Sequence, residues 1–284
     1  MARHNIIFGR DKELHQPAYA GAGQQAQSWQ PYQAPQEDLE TLYARPAATG
    51  HDTGRMTMRD ALNAITATLG VIIVVGAFVT FLPTALSLVM GEAGAQIGLA
   101  IGMGALIIGL VGSLVMGLVN AFRRQPGPVA VLVYAVFEGL LLGGLSGMLE
   151  MTYPGIALQA VIATFAVAGT VLVFFRMGIL RTSPLLTKIF MVAMVAYLLF
   201  GLVNIGFMIF AGYSLRSGLI GMVIGGIAVC LASYSLVMDF EEIQAGVGNV
   251  ARAYAWRCAF GVAATLVWMY IEILRIIAIL RGSD

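Results

Sequence analysis

Long apolar stretches, separated by short polar ones, fill the chain after Asp60 and restrict it to one kind of fold. Each is long enough to cross a hydrocarbon core of about 30 Å as a helix. Hydrophobic residues make up 59% of the 284 residues and charged residues only 11%, more apolar surface than a soluble domain of this size can bury. An all-α membrane protein, a bundle of seven transmembrane helices, is therefore predicted. The predicted spans are 61–90, 95–121, 129–149, 155–175, 188–211, 217–239 and 257–280.

The segment before the first span has a different composition. Residues 1–55 are rich in Gln, Pro, Ala and Gly and hold too little apolar surface to offset the entropy of ordering. We therefore predict a disordered, cytoplasmic N-terminal tail over 1–55 and a transmembrane domain over 56–284. The tail's aromatic residues offer contacts to a partner, although a solvated tail is the simpler interpretation. They are Tyr19, Trp29, Tyr32 and Tyr43.

Basic residues predict the orientation in the membrane. If the seven spans alternate in direction, most Arg and Lys residues near span ends fall on one side, and Arg216 and Arg281 fall on the other. The positive-inside rule then places the N-terminus in the cytoplasm and the C-terminus outside. Gly- and Ala-rich helices with short loops suit a bacterial inner membrane. The residues on the basic side are Arg55, Arg59, Arg123, Arg124, Arg176, Arg181, Lys188, Arg252 and Arg257.

Small residues at four-residue spacing predict close contacts between helices. Such spacing lets two backbones approach in lipid, where packing rather than apolar burial drives association. Because the pattern is common in apolar helices, it indicates tight packing and nothing more specific. The sets are Gly98/Gly102, Gly139/Gly143/Gly147 and Gly221/Gly225.

Several chemistries are excluded by residue type. The histidines are His4, His15 and His51, all in the tail, so a span has no histidine base for proteolysis and no imidazole for zinc, haem or copper. The formal charge of +1 gives no basic surface for nucleic acid. We predict that the protein is not an enzyme, has no cofactor and does not bind nucleic acid.

Apart from Lys188 and Arg257, which begin their spans on the basic side, four charged residues lie within or at the end of the predicted spans: Glu138, Asp239, Glu272 and Arg275. A charge at the bilayer centre costs about 2.5–3.5 kcal/mol, so each needs a partner or a function. Arg275 follows Glu272 by three residues, and the two could simply neutralise each other. Asp239 could belong to a solvated acidic cluster, and Glu138 could be a structural hydrogen-bonding group.

Taken together, the three carboxylates suggest an oxygen-ligand set that suits Ca²⁺ or protons. Two carboxylates that meet at low dielectric share one proton, so Asp239 and Glu272 are predicted to form a pH-sensitive gate. Arg123 and Arg124 are the predicted counter-charges for Asp239, and Glu138 and Arg275 are placed along the same pathway. No certain metal site is predicted.

Residues 121–147 (a basic pair, a Pro-containing turn and FEGLLLGG), SYSLVMDFEEIQ and WMYIEILRIIAIL resemble the transmembrane Bax inhibitor motif family. The resemblance covers roughly residues 60–281. It implies seven helices with the seventh in the centre, and a pH-sensitive Ca²⁺ leak governed by acidic residues on the sixth and seventh helices. By position these are Asp239 and Glu272, with a basic latch at Arg123 or Arg124. Family members are also associated with suppression of cell death and with a membrane-bound protease.

Two departures from the family pattern shape the geometry that we expect. Glu272 stands where the family usually has Asp, and the loop after Asp239 is longer. For the two acids to meet, the sixth helix must continue to about Ala245, and the buried part of the seventh must begin nearer Phe260. That arrangement places Glu241 and Glu242 in a cytoplasmic vestibule and makes residues 249–257 an interfacial segment.

Three functions are compatible with these patterns. The leading hypothesis is a pH-sensitive cation leak channel, with calcium as the permeant ion. The alternative is a non-conducting membrane protein that modulates membrane-protein quality control or stress responses through a membrane protease or another membrane partner. The third, a proton-coupled carrier of small solutes, needs a polar substrate cavity, for which Asn204 in the fifth span and Gln159 in the fourth are thin support.

Overall fold

A computed structural model describes residues 54–123 and 126–282, which form helices joined by short loops. The predicted tail lies almost entirely outside these residues. Each of the six described helices is long and apolar enough to cross a membrane. They are α1 (Met58–Phe122), α2 (Pro128–Thr152), α3 (Ile156–Arg176), α4 (Pro184–Phe210), α5 (Gly218–Gly246) and α6 (Tyr254–Gly282).

Local sequence signals explain where the helices begin. Thr57 and Asp60 form a reciprocal capping box at the start of α1. Pro128 and Pro184 stand in the first turns of α2 and α4, where a missing N–H costs nothing. The start of α3 follows Gly155, whose left-handed backbone offers no side-chain cap.

Glu150 supplies the missing cap of α3 from the end of α2. Its carboxylate accepts hydrogen bonds from the backbone N–H of Gly155 at 2.5 Å and of Ala157 at 3.0 Å. Glu150→Ala is expected to lower the free energy of unfolding by about 1 kcal/mol, the usual cost of losing a helix cap. Unfolding titrations in detergent check this. Glu92→Ala, at an exposed site, is the control and should have little effect.

The 65-residue helix α1 is two helical segments that fold back on each other. Gly91 interrupts it with non-helical backbone angles (φ 64°, ψ −143°) in the left-handed half of the map, where glycine is favoured. A side chain added to Gly98 would collide with the backbone of Pro83. In one straight helix these residues would lie about 22 Å apart, so the segments 58–90 and 92–122 must be antiparallel.

Glycines let α2 pack closely against both segments of α1. A Cβ atom on Gly143 would lie 2.7 Å from the carbonyl oxygen of Gly76, and one on Gly144 would lie 2.6 Å from that of Gly102. Gly139 similarly approaches the carbonyl of Ile72. The tight packing predicted for the glycine series in α2 is therefore confirmed.

Helices α6 and α4 differ sharply in burial. In the most apolar stretch of α6, 56% is buried, and α6 packs against α1, α2, α3 and α5. The corresponding stretch of α4 is only 11% buried, and its buried residues are Phe190 and Asn204. Since α4 packs little, side-chain hydrogen bonds such as Thr187–Tyr234 (2.8 Å) matter more in holding it to the rest.

The long loop between α5 and α6 pairs with the segment that precedes α1. The N–H of Met56 donates to Val250 (2.9 Å), and the N–H of Gly248 donates to Met56 (2.9 Å). Arg252 also forms an ion pair with Asp60 at 2.8 Å. The buried Met56 side chain belongs to the same apolar cluster as the first residues of α6. The additional residues of this loop therefore hold the start of α6 against the start of α1.

This pairing corrects one predicted boundary. Helix α5 continues past Asp239 to Gly246, as predicted. The prediction that the buried part of the last helix begins nearer Phe260 is wrong, because Ala255 and Cys258 are already buried. The loop and Met56 cover this first turn. The predicted interfacial segment 249–257 is thus partly loop and partly helix.

Candidate functional site

Glu272 lies in the middle of α6 and is only 1% exposed, yet it has three partners. Its Oε2 atom accepts a hydrogen bond from Nη2 of Arg216 at 2.7 Å. The hydroxyl of Tyr197 donates to Oε1. Arg275 completes the set, with Nη1 lying 3.2 Å from both carboxylate oxygens. These contacts offset the cost of the buried charge.

Arg216 reaches this position from the short loop between α4 and α5. Its side chain is only 8% exposed. Besides binding Glu272, its Nη2 atom donates to the Tyr197 hydroxyl at 3.1 Å, and its guanidinium carbon lies 5.2 Å from the centre of the Tyr197 ring. The indole N–H of Trp268 also donates to that hydroxyl at 3.3 Å. One buried polar cluster therefore joins α4, the α4–α5 loop and α6.

Asp239 lies on α5 and has a different partner on α6. The hydroxyl of Thr265 donates to its Oδ2 atom at 2.7 Å, and its Oδ1 atom approaches Gly261. Thr265 and Glu272 are seven residues apart, about 10 Å along the helix. The structure therefore does not bring Asp239 and Glu272 together. The prediction of a proton shared between them is corrected: the two carboxylates lie at different levels along α6.

Glu138 is buried in α2, with 7% of its surface exposed. Among the described residues its Oε2 atom has no hydrogen-bond partner. Three residues earlier, Ala135 packs in one apolar cluster with Ala263 and Val267 of α6. The carboxylate therefore stands on the part of α2 that is packed among neighbouring helices.

The three carboxylates and their neighbours lie in a stretch that matches a known family. A family model described as Bax inhibitor 1 like matches residues 10–282. The chain belongs to the Bax inhibitor 1 like family. Neither the comparison with curated proteins nor that with solved structures gives a match. The family match confirms the resemblance inferred from the sequence motifs.

In this Bax inhibitor 1 like protein, the predicted basic latch differs from the observed one. Arg123 ends α1 with an exposed side chain, and among the described residues no ion pair joins it to Asp239. Arg124 lies outside the described residues. The buried arginine that does hold an acid is Arg216, which the sequence analysis placed at the far surface. In the sequence, only the position of Arg216 next to the start of a span indicates that its side chain could reach into the bundle.

The predicted oxygen-ligand set of the Bax inhibitor 1 like chain is not assembled at one point. Within residues 54–123 and 126–282, no three acidic, histidine or cysteine side chains form a group that could hold a metal ion. Glu138 and Asp239 lie on different helices, and Glu272 is already bound by two arginines. The three carboxylates therefore do not form one ligand shell.

Glu241 and Glu242, predicted to line a vestibule, both have partners. Glu241 accepts hydrogen bonds from the backbone N–H of Thr182, at 2.8 Å, and from its hydroxyl. Glu242 accepts from the Tyr254 hydroxyl and lies 3.7 Å from the guanidinium of Arg257. Both acids thus tie loops and helix ends together near Asp239.

Proposed function

We propose that this Bax inhibitor 1 like protein is a pH-sensitive cation leak channel, with calcium as the permeant ion. The observation that supports this proposal is the series of carboxylates around α6. Glu138 carries a buried oxygen without a described partner, and Asp239 accepts a hydrogen bond from the Thr265 hydroxyl. In apolar surroundings, carboxylate oxygens can replace the water ligands that a cation loses when it enters the membrane.

The proposed topology has seven spans, because α1 folds back at Gly91, with α6 as the central helix. Two sets of contacts support it. Arg55, Gly248 and Arg252 meet at one end of the bundle. Arg281 meets Pro154 at the other end, towards which Arg216 also lies. With most basic residues at the first end, we place that end and the N-terminus in the cytoplasm of a bacterial inner membrane.

In the proposed mechanism, the Glu272–Arg216 ion pair keeps the pathway closed. Arg216 precedes α5, and Tyr197 belongs to the loosely packed α4, so the ion pair holds both elements against α6. Loss of the negative charge on Glu272 removes the attraction for Arg216. The loop is then released and the pathway opens, while Asp239 supplies a cation contact further along α6.

Calcium flux into proteoliposomes between pH 5.5 and 8 tests the proposal. Glu272→Gln removes the negative charge that holds Arg216, so it should raise flux at pH 8 by about tenfold, the effect of losing about 1.4 kcal/mol of closing energy. Asp239→Asn should instead lower flux by about tenfold at every pH.

Asp60→Asn is the matched control, since Asp60 pairs with Arg252 outside the bundle core. Its flux and pH response should equal those of the wild-type protein. If Glu272→Gln and Asp239→Asn both leave the flux and its pH response unchanged, the proposal is rejected.

A further inference from the structure

The cluster around Glu272 has more positive than negative charge. One carboxylate faces two guanidinium groups, those of Arg216 and Arg275. Their Nη atoms lie 2.7 and 3.2 Å from the same Oε2 atom and are therefore at most 5.9 Å apart. Two like charges so close in a membrane repel each other strongly, because little water is present to screen them. The described residues thus leave one positive charge uncompensated.

The two arginines also retain unused hydrogen-bond donors. The Nε atom of Arg216 is buried and has no partner among the described residues. Arg275 contacts Glu272 through Nη1 only, and its side chain is 33% exposed. A guanidinium carries five N–H donors in a planar fork that matches the oxygens of a phosphate. The exposed side of Arg275 is therefore suited to a phosphate group.

The depth of Arg275 indicates where such a phosphate would come from. Arg275 lies seven residues before the end of α6 at Gly282, about 10 Å along the helix. A long arginine side chain at that depth reaches the headgroup region of the bilayer. Tyr153 and Tyr213 lie towards the same end, as expected for aromatic residues near an interface.

We propose that Arg275, with Arg216 behind it, binds the phosphate of an anionic phospholipid in the leaflet where α6 ends. The lipid supplies the negative charge that the cluster lacks. Lipid binding at this site does not require ion conduction, so this proposal is tested independently of the proposed channel.

Trp268 provides a local probe, because it contacts Tyr197 of the same cluster. In a Trp29→Phe/Trp256→Phe background, Trp268 is the only tryptophan that remains of the three. Its fluorescence is measured in vesicles containing dibrominated phosphatidylglycerol or dibrominated phosphatidylcholine, whose bromines quench nearby tryptophan. We expect phosphatidylglycerol to be preferred about fivefold, the selectivity of one basic residue at an anionic surface.

Substitutions test whether Arg275 forms the lipid-binding site. Arg275→Gln should abolish the preference, and Arg275→Lys, which keeps the charge, should retain part of it. Arg281→Gln is the matched control on the same helix end, where Arg281 donates to the carbonyl of Pro154 at 2.9 Å. Its preference should equal that of the parent.

Inorganic phosphate, compared with chloride at equal ionic strength, distinguishes the source of the anion. If phosphate removes the lipid preference, the arginines bind free phosphate more readily than a headgroup, and the lipid assignment is overturned. Equal quenching by both lipids, or a preference that survives in Arg275→Gln, would also overturn it.

Discussion

Glu272→Leu is expected to destabilise the protein by about 3–5 kcal/mol, the usual cost of removing one partner from a buried ion pair. The variant would leave the guanidinium of Arg216, only 8% exposed, without a carboxylate. Arg216 and Arg275 would then repel each other with no anion between them. The free energy of unfolding in detergent, measured for each variant by titration with a denaturing detergent, gives the effect directly.

A double-mutant cycle separates the ion pair from the loss of packing. Arg216→Leu should cost less than Glu272→Leu, because Arg275 still neutralises the carboxylate at 3.2 Å. The double variant Glu272→Leu/Arg216→Leu should be more stable than Glu272→Leu alone, since apolar residues of similar volume often replace a buried pair without net loss. A double variant no more stable than Glu272→Leu would show that the two side chains do not act together.

The ion pair between Arg252 and Asp60 is the natural comparison. Its separation is 2.8 Å, close to that of Arg216–Glu272, but 54% of the Arg252 side chain is exposed. Arg252→Leu should therefore change the free energy of unfolding by less than about 1 kcal/mol. An equal loss in Arg252→Leu and Glu272→Leu would mean that burial does not set the strength of these pairs.

The helices follow closely from local sequence. Apolar runs predicted most of the helix ends within a few residues, because a membrane allows few alternatives to helices. The capping residues and the glycine series of α2 are equally local signals. What local patterns could not predict is the pairing of residues 54–57 with the α5–α6 loop, since it joins segments about 190 residues apart.

The candidate site was predicted less completely. The alternative in which Arg275 neutralises Glu272 agrees with the observed contact, because a spacing of three residues on a helix places them on one face. Arg216 and Tyr197 were missed, since nothing in the sequence shows that a loop arginine turns inward to meet an acid 56 residues later. The Asp239–Glu272 pair failed for a geometric reason. Asp239 lies about 10 Å before the end of α5, whereas Glu272 lies about 27 Å from the start of α6, so Asp239 meets Thr265 instead.

Gly143→Ala and Gly144→Ala are each expected to destabilise the protein by about 1–3 kcal/mol, the range for overpacking a close contact. The two residues are adjacent but face different segments of α1. At Gly143 the new methyl group would meet the carbonyl oxygen of Gly76 at 2.7 Å. At Gly144 it would meet that of Gly102 at 2.6 Å. Backbone atoms cannot rotate away, so the helices must separate.

The combined variant tests whether α2 is truly held between both segments. Because the two contacts involve opposite segments, Gly143→Ala/Gly144→Ala cannot relieve one by moving α2 towards the other. Its loss should therefore equal or exceed the sum of the single losses, measured by unfolding titrations in detergent. Gly104→Ala is the control, since a Cβ there has nothing within 4 Å and alanine favours a helix by about 0.5–1 kcal/mol. If all three glycines respond alike, the close packing of α2 does not determine stability.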